Sequence, residues 1–257
     1  MNLRARISSL LPPLLPLLVG IGACEIAVRF NWVPSYLIPA PSEVFRSLID
    51  DHSELALATW TTLSSALTGL FLSFGTGTLF AIALSSSELA RRAFYPYAVF
   101  FQTVPIISIA PLLVIWFGFG QPTVIASAAI VSVFPIIAST LLGLKSTDPA
   151  LIDLFNLYSA TGRQTLYMLK IPFALPQIFS GLRIASGLAV VGAIVGEFIG
   201  GGGLGSVVDS ARTQQRIDRV FAAVLISSLL GIVLVGAVNV ISALSLGSWH
   251  TSERKSS

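Results

Sequence analysis

Twelve carboxylates, two histidines and one cysteine are what the 257-residue chain offers for acid–base, metal or thiol chemistry. His52 and His250 stand far apart with no metal-ligand spacing around either, so no metal site is expected. No serine–histidine–acid or cysteine–histidine order suits a nucleophile, so no catalytic residue is expected either. A glycine-rich phosphate loop ending in Lys-Ser/Thr is also missing from the sequence. One carboxylate stands out. Glu197 lies near the end of an apolar run, Gln177 to Ile199, whose only other charge is Arg183 near its start. A carboxylate there is costly to bury and is expected to face a cavity or a partner. It either lines a path through the membrane or its outer gate, or it is a helix-end group that meets the interface or an arginine. Gln102 poses a related question beside Pro105. Pro105 and Pro111 each remove a backbone donor and can kink a helix, and the freed carbonyls need a neighbouring helix or a watery path.

The elements that must position these groups are membrane spans. The chain is 54% hydrophobic and only 11% charged, against about 25% charged in soluble domains. No soluble fold of this size can hide that much apolar surface. The net charge is +3 with the basic residues scattered, so nucleic acid is not an expected partner. A single cysteine, Cys24, excludes an internal disulfide. Ile21–Cys24 loosely resembles a lipoprotein cleavage box, but a first transmembrane helix is the reading taken, because the rest of the chain spans the membrane.

A crossing helix takes about 20 mostly apolar residues. The charge-free gaps predict six, at roughly 9–29, 57–85, 95–117, 123–144, 177–199 and 221–247. Gly118-Phe119-Gly120-Gln121-Pro122 punctuates the third and fourth. Gly75/Gly77, Gly181/Gly187 and Gly192/Gly196 are candidates for close helix contact. The positive-inside rule sets the orientation. Arg4, Arg6, Arg91, Arg92, Lys145, Arg163, Lys170, Arg183, Arg254 and Lys255 share one face; Arg29, Arg46, Arg212, Arg216 and Arg219 share the other. Both termini are therefore expected in the cytoplasm. No internal repeat divides the chain, so residues 1–257 read as a single transmembrane domain with a cytoplasmic segment at 145–176.

That segment is too polar to span. Asp148-Pro149 reads as an N-cap followed by proline at the first helical position. Leu151, Leu154, Phe155 and Tyr158 follow with amphipathic spacing. Thr161 and Gln164 form a second helix start of capping-box type. That helix is expected to stop near Ile171, because Pro172 disfavours helical geometry in the residue before it. The segment is either a hairpin connecting two spans or a docking element for a cytoplasmic partner.

On these residues the chain resembles the permease subunits of ABC importers, in the group handling nitrate, taurine, alkanesulfonates, bicarbonate and thiamine-pyrimidine precursors. The family's cytoplasmic loop reads E-A-A, three residues, G, nine residues, I-x-L-P. Here the spacing falls on Asp153-Leu154-Phe155, Ser159 and Leu169-Lys170-Ile171-Pro172. The letters of the first half depart, with Asp for Glu, Leu and Phe for the alanines, and Ser for Gly. Ile38-Pro39-Ala40-Pro41, Gln102-Thr103-Val104-Pro105, Trp116-Phe117-Gly118, Ala174-Leu175-Pro176, Ser180-Gly181-Leu182-Arg183 and Gly196-Glu197-Phe198 with Gly203-Leu204-Gly205 are similar to further family segments.

The resemblance implies an all-α type I importer permease fold that forms the translocation path for a small solute. It implies a coupling helix that sits on the ATPase, with Asp153, Leu154, Phe155, Tyr158, Ser159, Gly162, Arg163, Leu169, Ile171 and Pro172 as the docking residues. Arg163 could pair with an acidic residue there. A short helix bounded by Pro172 and Pro176 would move as one lever. The implied partners are cytoplasmic ABC ATPase subunits that bind ATP and magnesium, an extracytoplasmic solute-binding protein, a second permease copy as a homodimer, and the lipid of a bacterial inner membrane. No cofactor is expected in this chain. Gln102, Pro105 and Glu197 are the candidates for path or gate. An ion-gradient-driven secondary transporter is the alternative; it should show inverted repeats with paired broken helices. An intramembrane enzyme needs convergent catalytic groups, and Glu197 alone is too little. The sequence leaves the cargo open, with sulfonate, nitrate, taurine and vitamin-precursor types all represented in the group.

Overall fold

A computed structural model describes the backbone of residues 3–246 and, apart from residues 3–14 and 101, their side chains. Arg254, Lys255, His250 and the last residue of the predicted sixth span, Gly247, lie outside the described residues, as do the side chains of Arg4 and Arg6. The chain is all helix among the described residues: α1 (Leu3–Arg29), α2 (Pro41–Asp50), α3 (His52–Ser85), α4 (Glu88–Thr103), α5 (Ile106–Phe117), α6 (Gln121–Lys145), α7 (Pro149–Leu157), α8 (Gly162–Thr165), α9 (Ile171–Gly200), α10 (Gly203–Thr213) and α11 (Ile217–Leu246). In hydrocarbon only a closed set of backbone hydrogen bonds is tolerable, which is why an apolar chain becomes helices throughout. Four helices among the described residues are long and apolar enough to cross a membrane, α3, α6, the rod that contains α9, and α11, and α5 is a shorter apolar helix.

The centre of the bundle is the contact between α6 and α9. Glycines on one helix face carbonyls and small side chains on the other. A methyl group at Gly192 would fall 2.9 Å from both the Ala128 Cα and the Ser127 carbonyl oxygen. One at Gly181 would fall 2.6 Å from the Ser139 Cβ. The Ser127 hydroxyl uses the closeness to donate to the Gly192 carbonyl at 2.7 Å. Gly69 and Gly77 seat α3 on the other side of α6 in the same way, and Ser132 donates to Ser73 at 2.8 Å. Ala66, Leu70, Val124, Ala128, Ala189, Val190, Leu230 and Leu234 then close a core shared by four helices. Of the glycines expected at contacts, Gly75 faces open space and Gly187 meets only Val235 at 3.7 Å.

Two predicted elements differ. The third span is not one kinked helix over 95–117. It breaks at Val104 and Pro105, both extended, with ψ of 123° and 121°. Pro105 pushes Val104 out of the helical region and brings no N–H of its own, so the ladder cannot continue. Pro111, by contrast, is held inside α5. The second difference is at Pro172. The helix that begins at Gly162 does not stop near Ile171 but runs on as one 39-residue rod to Gly200. A π-turn at Leu166–Lys170 makes this possible, with the Ile171 N–H bonding the Leu166 carbonyl. The wider turn relieves the clash that a proline ring has with the carbonyl one turn back. Pro172 and Pro176 therefore sit within the rod and do not bound a separate lever.

At the other end, α2 lies against α11. Arg216 donates to Asp51 at 2.8 Å and to Asp218 at 3.2 Å, and Arg219 pairs with Glu54 and, at 3.8 Å, with Asp51. These arginines hold the Asp51 carboxyl below its usual range despite partial burial, which pulls the other way. Substituting Gly192 by alanine is expected to force α6 and α9 apart and cost about 1–3 kcal/mol. Gly231→Ala, where nothing lies within 4 Å, is expected to leave the melting temperature of the detergent-solubilised protein nearly unchanged.

Candidate functional site

The segment between α6 and α9 begins where the residues dictate. The Asp148 side chain accepts the Ala150 N–H at 2.9 Å, and Pro149 opens α7. α7 is nine residues long and buries none of them. Leu154 is 44% exposed and Tyr158 81%. Only Ile152 and Phe155 are half-covered, so a helix that keeps leucines and an aromatic outward presents an unfilled contact surface. The chain then reverses through Ser159, whose φ is +54°. The Ser159 N–H bonds the Asn156 carbonyl at 2.9 Å and the Ala160 N–H bonds Phe155 at 3.0 Å, which closes the end of α7. Thr161 and Gln164 cap α8 reciprocally, at 2.7 Å and 3.3 Å.

Leu154, Phe155, Tyr158, Ala160, Gln164 and Met168 line a shallow depression of about 400 Å³ between α7 and the root of the rod. Asp153, Gly162 and Arg163 are exposed beside it. Ser159 belongs to the same surface. The rest of the expected docking set lies elsewhere. Leu169 is buried, and Ile171 packs with Leu144, Ala174 and Ile178 inside the bundle. Pro172 is half-buried at the base of α9. The nine-residue spacing thus joins an exposed half, 153–163, to a half that anchors it, 169–172. Beside them Glu88, at the start of α4, takes Arg91, Arg92 and Lys145, which hold its carboxyl down to about 2 and tie α4 to the end of α6.

Gln102 and Pro105 are exposed at the break between α4 and α5. Glu197 is not near them. It stands one turn from Gly200, whose carbonyl accepts the Gly120 N–H at 2.7 Å just past the far end of α5. The twelve residues of α5 put about 18 Å of helix between the two levels. Glu197 is 1% exposed, and its Oε2 accepts the Gly205 N–H at 2.8 Å. Thr62 of α3 accepts the neighbouring Leu204 N–H at 2.9 Å. Together they cap the first turn of α10, where free N–H groups and the helix dipole favour an anion. Gly203, at φ +65°, leaves room that any side chain would take from the carboxylate. No arginine pairs with Glu197 among the described residues. The side chain thus ties α9 to α10, beside the Thr62 contact that ties α10 to α3. Gly-Leu-Gly a few residues beyond a late-span glutamate is the signal that could have announced this, together with α10 itself, which hydropathy passed over.

Two outcomes follow. Glu197→Gln keeps an acceptor and is expected to stay close to the parent in thermal stability, whereas Glu197→Ala strands the Gly205 N–H and costs about 1–3 kcal/mol. Ser159→Gly relieves a left-handed residue and is expected to raise the melting temperature, by about 1 kcal/mol of stability.

The comparisons with known proteins agree with this geometry. Residues 69–244 match the family described as binding-protein-dependent transport system inner membrane component. The chain is 39% identical to a formylaminopyrimidine transport permease of Halalkalibacterium halodurans, over 89% of this chain and 92% of that one. It is 29% identical to a riboflavin transport system permease of Chloroflexus aurantiacus, over 89% and 86%. It is 28% identical to the taurine transport permease of Escherichia coli, over 90% of each. In fold it is similar to a chain of a methionine ABC transporter in an inward-facing form, at a TM-score of 0.65 and 18% identity, covering 72% of this chain and 93% of that one.

Proposed function

The chain belongs to the binding-protein-dependent transport system inner membrane components and is a permease subunit of an ATP-driven ABC importer, and we propose that α7 is where the ATPase engages it. The observation that carries this reading is the uncovered apolar surface of α7 on the root of the 39-residue rod. A push on α7 passes through the capped turn at 158–161 into the rod, which runs to Gly200 as one helix packed on α6. Leu154, Phe155 and Tyr158 supply the contact, and Asp153 and Arg163 flank it with charge of both signs. On this reading residues 145–176 and both termini lie in the cytoplasm and the membrane is the bacterial inner membrane. The ATPase subunits hold ATP and magnesium, a binding protein delivers the solute from outside, and a second copy completes the path. Gln102 and Pro105, at the one discontinuous span among the described residues, sit beside that path.

The cargo we favour is a small heterocyclic vitamin precursor of the formylaminopyrimidine kind. It is the named cargo of the relative with 39% identity, while the taurine permease stands at 28%. Reconstitution with the ATPase, followed by ATP hydrolysis with binding proteins loaded with different solutes, tests this. Stimulation by a sulfonate-loaded protein alone would overturn the cargo. Alanine at Phe155 and Tyr158 is expected to weaken ATPase co-purification by roughly tenfold or more, as for aromatic anchors elsewhere. Intact association and transport in that variant would remove α7 from the coupling role.

A further inference from the structure

Glu88 opens α4 just past the end of α3, and its carboxylate gathers cations from two helices. The Arg91 Nε donates to it at 2.9 Å and the Arg92 Nε at 3.1 Å, and the Lys145 ammonium at the end of α6 lies 3.8 Å away. No other carboxylate pairs with these three among the described residues. One negative charge therefore faces three positive ones. The helix ends do not restore the balance. Lys145 suits the negative end of α6, but Arg91 and Arg92 stand in the first turn of α4, beside its positive end. Arg92 is 75% exposed and Lys145 44%, so the excess charge is presented outward.

The cluster lies where two membrane-length helices end, α3 at Ser85 and α6 at Lys145. Apolar packing begins directly inside it. Ala90 and Tyr95 of α4 pack on Ala81 and Leu84 of α3 and on Ile137 and Leu141 of α6. From the charges α4 turns back along the bundle. The Tyr95 ring lies 6.5 Å from that of Phe134, about 16 Å along α6 from Lys145. On its other side α4 is uncovered. Leu89, Ala93 and Tyr97 recur every four residues and so share one helix face. All three are exposed, Leu89 at 79% and Tyr97 at 63%. An apolar stripe thus leads from the cations toward the apolar level of the bundle.

We propose that Arg91, Arg92 and Lys145 hold the phosphodiester headgroup of an anionic phospholipid, whose acyl chain lies along Leu89, Ala93 and Tyr97. Guanidinium forks match phosphate oxygens, and the lysine adds a point charge. Glu88 collects the three cations and leaves a positive excess. Cations beside a membrane surface attract anionic lipid. A zwitterionic headgroup brings its own cation and gains less. The continuity of the cluster with the ends of α3 and α6 makes the membrane the source of the phosphate. The site is independent of the cargo and of ATPase docking at α7.

The test uses the importer assembled with its ATPase and equilibrated with equal amounts of phosphatidylglycerol and phosphatidylcholine. Native mass spectrometry counts the lipid retained. At low salt phosphatidylglycerol is expected to be retained over phosphatidylcholine by roughly tenfold, and less so as salt rises. Arg92→Gln combined with Lys145→Gln is expected to bring that preference below about twofold, whereas Arg92→Lys with Lys145→Arg keeps it. Glu88→Gln removes the competing carboxylate and is expected to raise the preference by roughly fivefold. Millimolar inorganic phosphate is expected to leave the lipid in place. Equal retention of the two lipids by the parent, a preference that survives Arg92→Gln with Lys145→Gln, or displacement by free phosphate would overturn the site. Loss of ATPase co-purification in that variant with its lipid preference intact would also overturn it, because the cluster would then be a protein contact. If the double variant does not assemble, Arg92→Gln alone against Glu88→Gln decides, since the two are expected to move the preference in opposite directions.

Discussion

Everything else in the molecule depends on how closely α6 and α9 approach. Carbonyls of one helix meet the glycines of the other at distances that leave no room for a methyl group. Within lipid there is little hydrophobic force to bring helices together, so van der Waals contact and short hydrogen bonds such as Ser127 to Gly192 must do it. The result is a rigid pair. α3 and α11 are then laid against it through Gly69, Gly77, Leu230 and Leu234.

Because α9 is one rod, its two ends are mechanically one object. The root carries the uncovered helix α7, held by caps at Asp148 and Thr161. The tip carries Glu197, which accepts the Gly205 N–H of α10, while Thr62 of α3 accepts the neighbouring Leu204 N–H. The π-turn at Leu166–Lys170 preserves this unity past Pro172. A plain α-helical ladder would have broken there, and movement of α7 would have been lost in the break.

Much of this was legible in the residues. Apolar runs located the four long apolar helices, and the punctuation at Gly118–Pro122 is a real turn, with Gly118 and Gly120 at φ of 80° and 95°. The caps at Asp148 and Thr161 were readable because capping is local chemistry. The rest depends on neighbours. Pro105 and Pro172 carry the same letter, yet one breaks its helix and the other does not, since only tertiary support decides whether a wider turn can form. α10 is short and weakly apolar, so hydropathy cannot see it. The bond that Glu197 accepts could not be read from sequence, because its N–H partner belongs to that helix. Gly75 and Gly192 look alike in sequence and differ only in what stands opposite.

The two attachments of the outer helices also answer differently to ionic strength. Asp51, Glu54, Arg216 and Arg219 join α2 and α3 to α11 through charges at the rim, and Arg216 is 38% exposed in its side chain. Dissolved salt screens such pairs within about 8–10 Å. The Glu197 contact to Gly205 is sealed from solvent ions and keeps its strength. In brine the rim would slacken around an α10 that stays fixed, while in dilute medium rim and α10 would hold together. The electrolyte bathing this rim therefore sets how independently it can shift over an unchanged interior.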